Sequence, residues 1–183
     1  MKFTFTPNEK LPEVIIIEGE RFNDKRGFFG ESFRAKDFEE NGIPRFVQEN
    51  HSYSTPYCFR GLHYQLAPKA QGKLVYCIEG FIEDYVVDIR KNSPTFGEWI
   101  EIELNINTPR MVYIPEGYAH GFYVRSMFHN AHVVYKTTEY YSQEHDRSIN
   151  PYDPKINLPI AKNARLSDKD LNAPFLAEAD NNF

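Results

Sequence analysis

Cysteine is nearly missing: Cys58 and Cys77 are the only two in the chain. Two cannot build a disulfide scaffold, and the reading they favour is a pair of buried, reduced thiols in a cytosolic protein. No apolar run approaches the ~18 residues of a membrane span. The opening Met1-Lys2-Phe3-Thr4-Phe5-Thr6-Pro7 lacks the apolar stretch of a secretory signal. A soluble, cytoplasmic protein with no membrane contact is therefore expected. Lys and Arg total 21 against 26 Asp and Glu, giving a net charge of -5 and no basic run. That excludes an extended nucleic-acid-binding surface and leaves room only for a local basic pocket. Internal repeats and low-complexity segments are absent, and helix signals are scarce.

What is present is enough for one domain spanning residues 1–183. A chain this size buries roughly 70% of its unfolded surface and needs no staples. Aromatics are plentiful at 15%, with 15 Phe and 12 Tyr. Most belong in a core, but tyrosine also stacks on sugars and bases while its hydroxyl stays wet.

The dominant pattern is a series of short strand-like runs. Val14-Ile15-Ile16-Ile17 is one. Leu74 to Ile78 ends at the Glu79-Gly80 turn signal, and Ile82 to Ile89 stops at Arg90-Lys91-Asn92-Ser93-Pro94. Trp99 to Leu104 alternates, with Ile100, Ile102 and Leu104 on one face and Glu101 and Glu103 on the other, the period of a half-buried strand. Met111 to Ile114, Gly121 to Val124 and Val133 to Thr138 complete the set. Asp37 to Asn41 before Gly42 predicts one short helix, and Ser167 as N-cap predicts another. Many short strands and few helices predict an all-β sandwich or barrel. After about residue 150 the strand period is lost, and the rest is expected to pack on the barrel as a C-terminal tail.

Three segments concentrate reactive side chains. Arg60-Gly61-Leu62-His63-Tyr64-Gln65 is followed by Gln71-Gly72-Lys73 entering a strand; if the first is extended, alternate side chains share a face. Ile114-Pro115-Glu116-Gly117-Tyr118-Ala119-His120 delivers a histidine from a turn. Tyr135-Lys136-Thr137-Thr138-Glu139-Tyr140-Tyr141 closes an apolar strand with polar groups. Each has a plain structural alternative: a satisfied core histidine, a strand-packing Tyr135, a solvated Lys73, and Asp170 as a helix cap. Together they supply a base of suitable pKa, a cation, a phenol and a carboxylate, with no Ser or Cys nucleophile motif.

Pro115-x-Gly117-x-x-His120 matches the second motif of cupin jelly-roll barrels. The His-x-His pair of metal-binding cupins is missing, since the corresponding stretch reads His63-Tyr64-Gln65. The usual three-histidine metal site cannot be assembled at this spacing, and no metal is expected.

Over nearly its whole length the chain resembles the dTDP-4-dehydrorhamnose 3,5-epimerase family of cupin-fold enzymes. The matching segments are Lys25 to Ser32, Gln48 to Ser52, Arg60 to Gln65, Gln71 to Val75, Val87 to Gly97, Ile114 to Phe122, Tyr135 to Tyr141 and Leu166 to Asp170. The resemblance implies a cupin-type jelly-roll β-barrel and epimerisation at C3 and C5 of a dTDP-4-keto-6-deoxyglucose. It implies no metal, no nicotinamide and no other cofactor. In that family the protons on C3 and C5 are acidified by the C4 ketone, so the site needs a base, an acid on the opposite face and a cation over O4. By resemblance His63 is the base, Asp170 its orienting carboxylate, Tyr135 the acid and Lys73 the enolate stabiliser.

Binding roles carry over in the same way. Arg60 matches a diphosphate ligand, as the guanidinium fork suits phosphate. Gln48, Glu49 and Asn50 match a pocket-lining segment, His120 a sugar-site histidine, and Tyr141 the ring that stacks on thymine. Asp146 and Lys169 match peripheral contacts. Arg26 and Glu31 match residues that reach the nucleotide from the partner subunit of a homodimer. The sequence departs from the family pattern at Pro56-Tyr57-Cys58-Phe59, at Ile82-Glu83-Asp84-Tyr85, around His129-Asn130, at Leu158-Pro159 and at Asp146, without removing an implied catalytic residue. A 3-only or 5-only epimerase and a non-catalytic nucleotide-sugar-binding cupin are the alternatives.

Overall fold

The computed structural model describes residues 1–183. Thirteen strands and two short helices follow one another along the chain. The first group is β1 (Phe3–Pro7), β2 (Ile15–Gly19), β3 (Arg21–Asp24), β4 (Gly27–Gly30), α1 (Ala35–Glu40), β5 (Gln48–Ser54) and β6 (Phe59–Gln65). Then come β7 (Lys73–Glu79), β8 (Phe81–Asp88), β9 (Trp99–Asn105), β10 (Arg110–Ile114), β11 (Tyr118–Tyr123), β12 (Ala131–Thr137), β13 (Asp146–Ser148) and α2 (Asp168–Leu171). The expected strand runs all form, their ends shifted by at most three residues. The sequence reading gave no strand to β1, to the β3–β4 hairpin, to the polar β5 or to the three-residue β13.

Two antiparallel sheets face each other, in the orders β1-β2-β10-β7-β12-β5 and β13-β6-β11-β8-β9, while β3 and β4 form a separate hairpin. This is the cupin-like jelly roll. The sheets pack because their strands alternate. Val75 and Cys77 of β7, Val112 and Ile114 of β10 and Val133 of β12 meet Ile82 and Val86 of β8 and Ile100, Ile102 and Leu104 of β9 in one buried cluster. Each such Val, Leu or Ile contributes roughly 1.5–3 kcal/mol by leaving water.

Both outer faces are covered as well. Phe3, Ile17, Phe38 of α1, Met111 and Tyr113 cluster on the six-stranded sheet. The tail beyond residue 150 lays Ile156, Leu158 and Leu176 against Phe59, Tyr85, Val87 and Tyr123 of the other sheet. Trp99 Nε1 donates to Ile156 O at 2.8 Å and fixes the tail there. The tail contains the expected Ser167-capped helix: Ser167 accepts from the Asp170 main-chain N–H. Of the two cysteines, Cys77 is buried but Cys58 is only half-buried, and both are free thiols.

Strand β6 departs from simple alternation. On β11, His120 lies opposite His63 but Phe122 lies opposite Arg60, so three residues of β6 span two of β11. The extra residue makes a β-bulge. It sits at Gly61, whose φ of +132° L side chains rarely adopt, and a Cβ there would lie 2.4 Å from Gly121 Cα. The expectation that alternate side chains of Arg60 to Gln65 share a face is therefore corrected. Past the bulge the phase flips, and Arg60, His63 and Gln65 line one cavity while Leu62 and Tyr64 enter the core beneath the tail.

Candidate active site

Between the two sheets lies a cavity of about 260 Å³ lined mainly by polar side chains. Strand alternation decides which residues reach it. On β5, Gln48, Asn50 and Ser52 face inward. On β12 Tyr135 faces inward, opposite Asn50 on one side and Val75 on the other. Lys73 comes from the first position of β7, His63 from β6 and His120 from β11. Tyr141, Asp146 and Lys169 form the rim.

His63 and Asp170 make the central pair. His63 Nε2 donates to Asp170 Oδ1 at 2.6 Å across 107 residues of sequence, which leaves the other ring nitrogen its lone pair. Asp170 is 3% exposed. Burial alone would push its carboxyl up. Hydrogen bonds from His63, Ser167 and the Gly61 main chain outweigh that and hold it below the ordinary carboxylate range. The helix cap uses the main-chain N–H of Asp170, which leaves Oδ1 of its carboxylate for the histidine.

Lys73 is 8% exposed, and its Nζ donates to His63 O at 3.2 Å. Burial pulls its ammonium down to about 8, against the pull of Asp146 and Asp84. Tyr135 is pushed up by burial, with Arg60 acting against it, so the phenol keeps its proton at neutral pH. A positioned base with its carboxylate, a buried cation and a protonated phenol thus share one cavity. That set can remove a proton beside a carbonyl, carry the resulting oxyanion and deliver a proton from a second direction.

Arg60 is aimed by β5: its Nε donates to Ser54 Oγ at 2.8 Å and its Nη2 to Tyr53 O at 2.9 Å. Tyr141, 56% exposed, offers a ring face at the mouth. Its hydroxyl donates to Asp146 Oδ2 at 3.3 Å, and Lys169 forms an ion pair with the same carboxylate.

Three expected site residues lie elsewhere. Glu49 sits between Gln48 and Asn50 on β5, so the strand's period of two turns it to the outer face, where it pairs with Lys136. It lines a groove there with Glu31. Arg26, at the tip of the β3–β4 hairpin, pairs with Asp24 at 2.5 Å. Glu31 pairs with Arg34. None of the three touches the cavity of its own chain.

Several residues of the site were missed from sequence: Ser52, Gln65 and Gln71 line the cavity, and a carboxylate stands behind it. Asp84 of β8 is fully buried behind His120; His120 Nδ1 donates to its Oδ1 at 3.2 Å, while its Oδ2 has no partner. Burial lowers the His120 pKa despite that carboxylate. The available signal was a carboxylate inside the apolar run from Ile82 to Ile89. Both cavity histidines therefore have a carboxylate partner, and no group of three His, Cys, Asp or Glu side chains is placed to hold a metal ion. No helix is long and apolar enough to cross a membrane.

The chain is similar to known proteins over nearly its whole length. The family model described as dTDP-4-dehydrorhamnose 3,5-epimerase matches residues 8–178. A dTDP-4-dehydrorhamnose 3,5-epimerase of Shigella flexneri is 50% identical over 176 residues, 93% of this chain and 95% of that protein. Among solved structures, a dTDP-6-deoxy-D-glucose-3,5-epimerase of Legionella pneumophila, in complex with dTDP-4-keto-L-rhamnose, superposes with a TM-score of 0.90 at 43% identity, covering 98% of this chain and 95% of that one. A 3'-monoepimerase of Streptomyces bikiniensis, in complex with dTDP-quinovose, superposes with a TM-score of 0.86 at 31% identity, covering 94% and 87%. The chain belongs to the dTDP-4-dehydrorhamnose 3,5-epimerase family.

Proposed function

We propose that the protein epimerises C3 and C5 of dTDP-4-keto-6-deoxyglucose, as a step in making dTDP-L-rhamnose. The observation that carries this reading is the His63–Asp170 pair, sharing its cavity with a buried lysine and a protonated tyrosine. His63 takes the C3 proton and becomes imidazolium beside the Asp170 carboxylate. The C–H electron pair moves into an enolate whose charge rests on O4, next to the Lys73 ammonium. The Tyr135 hydroxyl returns a proton to C3 from the opposite face. His63 then loses its proton and Tyr135 regains one, so the cycle is neutral, and it repeats at C5. Arg60 holds the diphosphate and Tyr141 stacks on thymine, with Gln48, Asn50 and His120 around the sugar and Asp146 and Lys169 at the rim. Every group the reaction needs is a side chain of the protein.

The same reading makes the protein a homodimer. The β3–β4 hairpin exposes Phe22, Phe28 and Phe29, an apolar surface that a second copy would cover. Arg26 and Glu31, which do not touch their own cavity, would then reach the partner's nucleotide.

Proton NMR of the substrate in deuterated water tests the chemistry. Wild type should exchange and invert both C3 and C5. His63→Ala should lose exchange at both carbons by at least ~10²-fold. Full exchange in that variant overturns the assignment of the base, and exchange at one carbon alone in wild type would make the enzyme a monoepimerase. Sedimentation of Arg26→Ala should still give a dimer, with KM raised.

A further inference from the structure

The ring of Tyr141 is carried by a segment that has no regular structure of its own, Glu139 to Ser142 between β12 and β13. A segment outside any ladder must find partners for its main-chain groups elsewhere. Here side-chain amides supply them. Gln71 Nε2 donates to Glu139 O at 2.8 Å, and Tyr141 N donates to Gln48 Oε1 at 3.0 Å. Gln65 takes both flanks of Tyr141: its Nε2 donates to Tyr140 O at 3.3 Å, and its Oε1 accepts from Ser142 N at 2.8 Å. The same Nε2 donates to Lys69 O at 2.6 Å. Gln65 is 3% exposed, so its amide is shielded from water that would compete for these bonds.

We propose that Gln65 is the positioning residue for nucleotide recognition: its buried amide grips the main chain on both sides of Tyr141 and fixes the ring where a nucleobase stacks. The inference rests on the reading of Tyr141 as the stacking residue. Gln65 also lies two residues from His63 on the same face of β6. One strand therefore sets both where the sugar is deprotonated and where the base is held, and the two ends of the substrate share one ruler. The amide is suited to this because it donates and accepts at once, with a planar spacing that matches a C=O and an N–H two residues apart.

Isothermal titration with two probes tests it: thymidine diphosphate, which carries the base, and inorganic pyrophosphate, which does not. Gln65→Met keeps the length and deletes the amide. It should weaken thymidine diphosphate binding by about tenfold, within the range that stacking on an aromatic side chain supports, and leave pyrophosphate binding unchanged. In turnover KM should rise by a similar factor with kcat nearly constant. In a Tyr141→Ala background Gln65→Met should add no further loss. Gln65→Glu keeps the acceptor for Ser142 N, loses the donor, and should fall in between. This second variant serves if the methionine variant melts early. Equal loss of both probes would mean that Gln65 merely holds the cavity together, and full additivity with Tyr141→Ala would mean that it acts independently of the ring. Either overturns the proposal. If Tyr141→Ala alone binds thymidine diphosphate as wild type does, the stacking reading fails, and the proposal with it.

Discussion

Lys73→Met should give a protein that is more stable and almost inert. Lys73 is buried, and its ammonium is held down to about 8 from 10.5, with the attraction of Asp146 and Asp84 already counted. At roughly 1.4 kcal/mol for each tenfold change in proton affinity, that is on the order of 3 kcal/mol of folding stability forgone at pH 7. The folded value lies below the unfolded one, so between about 8 and 10.5 the unfolded chain binds more protons. The Lys73 contribution to wild-type stability therefore rises as pH climbs through that window. Methionine fills similar space without charge and escapes the cost. At ~2–4 °C per kcal/mol for a chain of this size, its Tm at pH 7 should be higher by roughly 6–12 °C. Loss of the cation over O4 should lower kcat by about 10²–10³-fold. Thermal melts of both proteins at pH 7, 8, 9 and 10, with isotope exchange followed at pH 7, measure both effects. The gap in Tm should be widest below pH 8 and close as pH approaches 10.5. A variant less stable than wild type at pH 7, or a gap indifferent to pH, refutes the reasoning.

Asp170→Asn keeps a hydrogen-bonding side chain beside His63 but removes the charge that supports imidazolium. Exchange at C3 and C5 should drop by roughly 10²-fold or more in NMR time courses, with far-UV circular dichroism unchanged. Tyr135→Phe deletes a hydroxyl with no hydrogen-bond partner in the protein. Deuterium should still enter from the His63 face with configuration retained, while inverted product falls much further; a parallel fall of the two would show that Tyr135 is not a separate acid. Arg60→Ala should raise KM strongly in steady-state assays with little change in kcat, since the diphosphate is held in ground and transition states alike. Gly121→Ala would set a Cβ 2.6 Å from Arg60 O, so denaturant melts should show a loss of roughly 1–3 kcal/mol.

The barrel was legible because its strands obey period two where one face is wet. Ile100, Ile102 and Leu104 against Glu101 and Glu103 is the clearest case, and the structure buries the first three between the sheets. Strand β5 was not legible: Gln48 to Ser54 has polar residues on both faces, since one side lines the cavity and the other the outer surface. Glu49 was misplaced for a related reason. Matching a contiguous motif treats Gln48, Glu49 and Asn50 alike, but an extended chain must send the middle residue to the opposite face. The pairing of His63 with Asp170 joins strand to tail over a separation that no local pattern records. Asp84 was visible as a charge inside an apolar run, but its meaning appears only when His120 is seen opposite Val86, on the neighbouring strand.

The bulge at Gly61 bears on molecular dimensions. A regular strand can bring two side chains to one face only at even separations. The unpaired residue lets β6 present Arg60 and His63 at an odd one, so that the anion clamp and the base stand two β11 positions apart. At ~3.3 Å per residue, that gauge is about 7 Å, on the scale of a single pyranose ring. Straightening the strand with every residue kept would not merely shift the base; it would turn Arg60 into the hydrophobic layer under the tail. The acceptable length between phosphate and acidic carbon is thus written in the backbone phase of one strand. A substrate with a second sugar inserted between them should fail for lack of room, whatever its functional groups.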